Sequence, residues 1–325
     1  MTTYKGIKGF TIQTIAGDPP APILGQVWYN TTSNVLKGYV SAAAGWASAP
    51  SLNQGREEPG SARNATQSAA MIFGANYAGA GYDDQTEQYN GTSWSEVNDM
   101  LKGRSQPGGL GINTAAMAVG GNYPTDTNYD EIWDGTSWAE TANTNTWRVA
   151  GQATGTTAAG IIAGGSGPSY GGINCETWNG TSWTEVNNLS RSLGTQQYGS
   201  TCGTTTAALY YAGGAAGNPG LNESWDGTCW TAGNLLSQGR YALAGFGNAT
   251  AAMAVGGTSS PPLWALTEQY NGSTWTEVGD LGTARMSIQG CGTTSLGIIA
   301  GGSPDRVETE LWDANPESVK TFTSS

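Results

Sequence analysis

Histidine is absent from all 325 residues, and that absence removes much chemistry. Without imidazole there is no Ser-His-Asp triad and no His-ligated metal. Positive charge is scarce as well: 13 Lys and Arg stand against 25 Asp and Glu, a formal net charge of −12. Such a chain is a poor partner for nucleic-acid phosphates or anionic lipid surfaces. No apolar run approaches the roughly 18 residues that span a bilayer as a helix, so no membrane insertion is expected. Leucine is sparse and no long apolar stretch keeps a 3.6-residue period, so helices should be few. The four cysteines, Cys175, Cys202, Cys229 and Cys291, form no CxxC. A zinc site would need all four thiolates at spacings that give it no support, and the cysteines read as isolated buried thiols. In the first 22 residues, Gln13 and several threonines interrupt any signal-like apolar core. The expectation is a chain not exported through a cleaved signal.

What is present is glycine, 50 residues of it, with 13 Trp and 14 Tyr. The glycine alone would fit low complexity, but this much aromatic surface argues for a folded core. One phrase explains both. "YNGTSWSEVND" begins at Tyr89 and returns as "WDGTSWAETAN" from Trp133, "WNGTSWTEVNN" from Trp178, "WDGTCWTAGN" from Trp225 and "YNGSTWTEVGD" from Tyr270. Upstream of it, an apolar run ends in small residues six times, from "MIFGAN" (71–76) through "MAVGGN" (117–122) to "IIAGGS" (298–303). A glutamate two residues before an aromatic follows: Glu87, Glu131, Glu176, Glu223, Glu268 and Glu310. Trp46 and Arg56 keep the same interval as the later Trp and Arg markers, so the register holds before the first full repeat.

Each unit reads as four short strands. The NG or DG pair marks a hairpin between the third and fourth, with a type I′ turn expected because both central positions would take φ > 0. The apolar run is a strand covered on both faces. The Gly-spaced stretch before it is a strand whose backbone can be approached closely. A four-stranded unit of this period is a propeller blade, and the fold class is an all-β β-propeller of antiparallel blades. Residues 51–325 supply six blades. Residues 1–50 read as a β-meander module that either closes the ring as a seventh blade or docks elsewhere. Seven blades are favoured. If only the Trp46 strand joins the ring, it pairs with the C-terminal blade and there are six.

Gly-Gly after an apolar run, then an aromatic, then a Trp at fixed distance resembles the Kelch repeat family of β-propellers, from about Trp46 onward. The wording "GTSWTEVNN" and "AAMAVGG", behind "GQVWYNTTSNVLKGY", is similar to virion proteins of marine tailed bacteriophages. That resemblance implies a non-enzymatic structural or adhesive protein of the phage tail or tail fibre. It also implies synthesis in the host cytoplasm, assembly with other tail proteins, and contact with a host-surface glycan or receptor. A carbohydrate-binding, lectin-type propeller is the alternative. Fold alone does not choose between them.

Two residue sets are candidates for a site. Six arginines follow the Trp strand, at Arg56, Arg104, Arg148, Arg191, Arg240 and Arg285. On a propeller they would ring one channel mouth and attract anions, or each guanidinium would satisfy carbonyls and the recurrent Glu. The loops after the Gly-Gly element do not repeat, and they carry Tyr77, Tyr82, Tyr123, Tyr129, Tyr170 and Trp264. Aromatics in Gly/Pro/Asn loops suit binding surfaces and sugar stacking, or simply cover blade ends. "YDD" (82–84) and "TDTNYDE" (125–131) have carboxylates too sparse for a convincing calcium site. Glutamates that recur by repeat are read as structural rather than as a glycosidase pair. No cofactor and no metal are expected.

Overall fold

A computed structural model describes residues 12–77, 81–123, 125–126, 128–167, 172–190, 198–213, 220–259, 262–304 and 306–322. Among them there is no α-helix, and seven four-stranded sheets account for the architecture. The chain divides into two compact units, Met1–Ala44 with Ala314–Ser325, and Gly45–Asp313. The boundary therefore falls before Trp46, not after residue 50, and the last strand of the chain belongs with the first unit.

In that first unit the strands lie in the order Gln13–Ile15, Val27–Asn30, Val35–Ser41, Glu317–Phe322; the first pair is parallel, the others antiparallel. Asp18 ties it together, accepting from Trp28 Nε1 (3.2 Å), Asn30 Nδ2 (2.8 Å) and Lys37 Nζ (2.8 Å). The Lys37 bond and then the Asn30 bond hold the Asp18 carboxyl below its usual range. Trp28 is fully buried. From the sequence, "ELWDANPESVKTFTSS" (310–325) reads as a third strand, a turn and a substitute fourth strand completing the last blade; instead its last strand, Glu317–Phe322, pairs with the meander, Tyr39 opposite Val319.

The second unit contains six sheets of one pattern. In the third, the strands run outward as Gln152–Thr156, Ala159–Ala163, Cys175–Trp178 and Trp183–Val186. The innermost strands of the six are Gly60–Ser61, Gly108–Ile112, Gln152–Thr156, Ser200–Thr204, Ala244–Asn248 and Gln289–Gly292. They neighbour one another in cyclic order, with Gln289–Gly292 beside Gly60–Ser61. The second strands are buried on both sides, as the continuous apolar runs require. The sixth blade takes its outer strand from the other end of the unit: Gly45–Ala49 pairs with Thr309–Asp313, placing Trp46 opposite Trp312. This is the placement of Trp46 anticipated for a six-membered ring.

Glycine lets the inner strands crowd. A Cβ on Gly108 would stand 2.8 Å from the Gly151 carbonyl oxygen, so no side chain fits there. The Trp pairs fill the wider spaces farther out. Trp133 packs at a tilt against Trp138, and Trp178 against Trp183, across their hairpins, with centroids 5.6 and 5.4 Å apart. From blade to blade, Phe73 meets Trp138 at 5.0 Å and Tyr211 meets Trp275 at 4.9 Å. Aromatic edges and faces at these separations add to the burial itself.

The hairpin of the repeated phrase forms where expected, but not as a type I′ turn. Tyr89 pairs directly with Trp94, leaving a four-residue loop, and of its first two residues only Gly91 has φ > 0. The Asn90 side chain explains this: its Oδ1 accepts the N–H groups of Thr92 and Ser93, both at 2.9 Å. Asp134 does the same for Thr136 and Ser137, and those bonds lower its pKa. An Asx side chain that satisfies the loop's own donors makes a left-handed first residue unnecessary.

Candidate functional site: one face of the ring and its axis

The linkers that carry each chain crossing from outer strand to next inner strand share a face with the loops after the Gly-Gly elements. Asn76 bonds Glu57 in both directions, and Ser105 pairs with Asn122, Val149 with Ser166 and Tyr241 with Thr258. The described ends of these non-repeating loops thus pair with the linkers, on one side of the ring.

The five described arginines of the recurrent set lie beneath those loops, buried, each in an ion pair with the glutamate of the blade it leads into. The pairs are Arg56–Glu87, Arg104–Glu131, Arg148–Glu176, Arg240–Glu268 and Arg285–Glu310. Other guanidinium donors reach carbonyls such as Asn174 O (from Arg148, 2.7 Å) and Glu308 O (from Arg285, 2.8 Å), while Arg104 Nε and Arg285 Nε have no hydrogen-bond partner among the described residues. The second carboxylate oxygen takes a linker N–H, as in Asn53 to Glu87 (2.9 Å) and Asn145 to Glu176 (2.8 Å). These guanidiniums are structural clamps and do not line the axial mouth. Arg191 lies outside the described residues. The fourth blade's link from Ser190 to Tyr198 is also longer than its counterpart from Asn145 to Ala150.

The axial mouth is made by backbone. Gln106 N–H donates to Glu58 O (2.9 Å), Ala150 to Gln106 O (3.0 Å), Ala242 to Tyr198 O (2.8 Å), Ser287 to Ala242 O (2.8 Å) and Glu58 to Ser287 O (3.2 Å). Glu58, Gln106, Ala150, Ala242 and Ser287 all have φ between 55° and 58°. A left-handed conformation at five non-glycine positions is costly one by one; here it turns each linker so that its peptide can bond the next. The pocket inside this ring has a volume of about 30 Å³, room for about one water. Burial raises the pKa of the Glu58 carboxyl and of the Tyr198 hydroxyl at its wall.

Below the mouth the axis is closed by Arg63 and Asn64. In every other blade the position of Arg63 is a glycine with φ > 0: Gly111, Gly155, Gly203, Gly247 and Gly292. In the first blade the inner strand stops at Ser61, and the chain sends its next side chains across the axis. Arg63 donates to Ser200 Oγ (2.6 Å), Gln152 Oε1 and Gln289 Oε1 (2.9 Å), which belong to the fourth, third and sixth blades. Asn64 Oδ1 accepts from Gly155 N–H (3.0 Å). Arg63 has no salt-bridge partner among the described residues, and burial lowers its pKa to about 10. This axial plug was missed in the sequence, where the signal was one arginine breaking a column of glycines.

The aromatic candidates with described side chains, Tyr82, Tyr129 and Trp264, belong to the first, second and fifth blades. Tyr129 is buried, with Lys102 Nζ 3.6 Å from its ring centroid and Arg104 close by; it covers a blade end. Trp264 is half-buried and donates from Nε1 to Ser259 Oγ at 3.1 Å. Tyr82 is half-buried in the strand Gly81–Tyr89. Tyr77 and Tyr123 lie on the strands Met71–Tyr77 and Asn122–Tyr123, and Tyr170 is outside the described residues. Cys229 departs from the expectation of buried thiols: it is exposed in its hairpin loop, whereas Cys175, Cys202 and Cys291 are buried. No family model matches the chain, and no curated protein matches it.

Proposed function

We propose that this β-propeller is a non-enzymatic structural or adhesive protein of a phage tail or tail fibre, presenting one face to other tail proteins or to a host surface. The observation that carries the reading is the contrast on that face. A constant frame of buried Arg–Glu pairs and blade-to-blade peptide bonds lies under loops whose sequences all differ. Constant scaffold with variable loops is how binding surfaces are commonly built. The plugged axis supports it too, because a partner larger than a few atoms must engage the rim. The tail assignment itself rests on the Kelch-like spacing and on the phage-like phrasing of the repeat and N-terminal module. Mass spectrometry of purified particles tests it: recovery at fixed stoichiometry with tail proteins is expected, and absence from intact particles rejects it.

A carbohydrate-binding propeller is the second reading, favoured by Trp264 and Tyr82, half-buried on the loop face. Glycan-array binding that is lost in Trp264→Ala supports it. Stoichiometric presence in particles with no glycan bound leaves the structural reading alone.

A further inference from the structure

In two of the six blades an asparagine side chain meets the recurrent glutamate; the second, fourth and fifth blades place Leu101, Ser190 and Ser237 there, and the sixth leaves a cavity. In the first blade the Asn53 side chain continues what its backbone begins: Nδ2 donates to Glu87 Oε2 at 2.8 Å and to Trp94 O at 3.3 Å. The third blade repeats it, Asn145 Nδ2 donating to Glu176 Oε2 at 2.8 Å and to Trp183 O at 3.2 Å. In the sixth blade this place belongs to Gly282. Its N–H reaches Glu310 Oε2 at 2.8 Å, but there is no carboxamide to follow. The outer strand is reduced at the same point. Glu87, Glu131, Glu176 and Glu268 face Glu96, Glu140, Glu185 and Glu277, whereas Glu223 faces Ala232 and Glu310 faces Ser48.

The two truncations coincide with a cavity of about 220 Å³ between Ser48, Ser51, Gly282, Thr283, Glu308 and Glu310. The Glu310 side chain keeps 7% of its surface open there, against 0% for Glu87 and Glu176. Trp46 is paired with Trp312 as Trp94 is with Tyr89, so its carbonyl holds the place of the Trp94 acceptor.

We propose that this cavity is a binding site for a primary carboxamide, the group of an asparagine or glutamine side chain carried on a peptide. Its –NH₂ donates to Glu310 Oε2 and the Trp46 carbonyl, as Asn53 and Asn145 do within the chain. Its carbonyl oxygen accepts from the hydroxyls of Ser48, Ser51 or Thr283. A neutral donor fits better than an ammonium, because both carboxylates already have guanidinium partners: Arg285 to Glu310 at 2.9 Å and Arg306 to Glu308 at 3.1 Å. The site stands whether or not the protein belongs to a virion.

The test is an NMR titration of the ¹⁵N-labelled full chain with N-acetyl-asparagine methylamide, and with N-acetyl-alanine methylamide as control. Saturable shifts of the Gly282 and Ser48 amides with the asparagine probe alone are expected, at millimolar concentration. Gly282→Asn supplies the carboxamide internally and lowers affinity at least tenfold. Gly282 has an ordinary φ, and its Cβ would stand 3.3 Å from Glu310 Oε2, a tight contact with the far end of a side chain that a shift of a few tenths of an ångström relieves. Ser48→Glu, placing on the opposite wall the residue type of four other blades, should have the same effect if Gly282→Asn does not fold. No saturable shift, equal shifts with the alanine probe, or undiminished binding in the folded variants overturns the proposal.

Discussion

The indole N–H of Trp94, on the outer strand of the first blade, donates to Thr309 Oγ1 on the third strand of the sixth at 3.0 Å. The same bond runs from Trp138 to Thr86 and from Trp46 to Thr267, also at 3.0 Å. Three of the six outer tryptophans thus read the residue just before the glutamate of the preceding blade. The Trp94 bond joins residues at the two ends of the ring. Thr309→Val keeps the shape and removes the acceptor, leaving a buried donor unmet, a loss of about 1–3 kcal/mol. Urea unfolding of Thr309→Val, Trp94→Phe and the double variant should show a coupling near 1 kcal/mol. Strict additivity would mean the bond contributes nothing to closure.

The Arg–Glu pairs predict a different mutational pattern. Glu176→Gln leaves the buried Arg148 guanidinium without its counter-charge, and removing one partner of such a pair costs about 3–5 kcal/mol. Replacing both, as Arg148→Met with Glu176→Leu, should recover much of that loss, because neither desolvated charge remains. Denaturant midpoints of the three variants test this. A double variant as unstable as Glu176→Gln would point to the carbonyl and linker bonds, not the charge pair.

Asp130 makes stability depend on pH. It is fully buried in the second blade, where Thr86 and Thr309 stand in the first and sixth. Burial pushes its pKa up to about 7, even though Gly120 and Thr144 N–H groups donate to it at 2.8 and 2.9 Å. Its usual value is near 3.8, so between about pH 4 and 7 the folded state holds a proton that the unfolded chain releases. Stability from this group is therefore complete at acid pH, falls as pH rises through that window, and levels off above it. The total is on the order of 4 kcal/mol at most. Thermal melts from pH 5 to 7.5 should show the decline in the wild type and a shallower one in Asp130→Asn. Equal slopes would mean Asp130 is ionised throughout.

Thiol chemistry separates the four cysteines. Cys175, Cys202 and Cys291 are buried, and burial raises each pKa to about 12. Cys229 alone is exposed. A colourless thiol reagent that releases a chromophore should titrate one thiol per native chain and all four after denaturation. More than one rapid equivalent in the native protein would show that blades open at their faces.

The repeat made the blades legible because a blade is local. Strand periodicity, the Asn-Gly or Asp-Gly loop and the Gly-spaced inner strand each act within about 45 residues, and four strands per unit follow from them. The Glu and Arg columns were equally visible, although their pairing needed the fold. Closure was not local. The Trp46 strand and the C-terminal strand are both short and both have free edges to meet, and no nearby residue says which blade either completes. Packing chose: Trp46 fits between Trp312 and Phe246, at 5.6 and 6.5 Å, while Phe322 lies over Gly38 in the other unit. The axis was decided in the same way. Only when six inner strands stand around one line does Arg63, displaced from a column of glycines, meet acceptors from three blades. Only then does Gly282 become a gap where two other blades carry an asparagine.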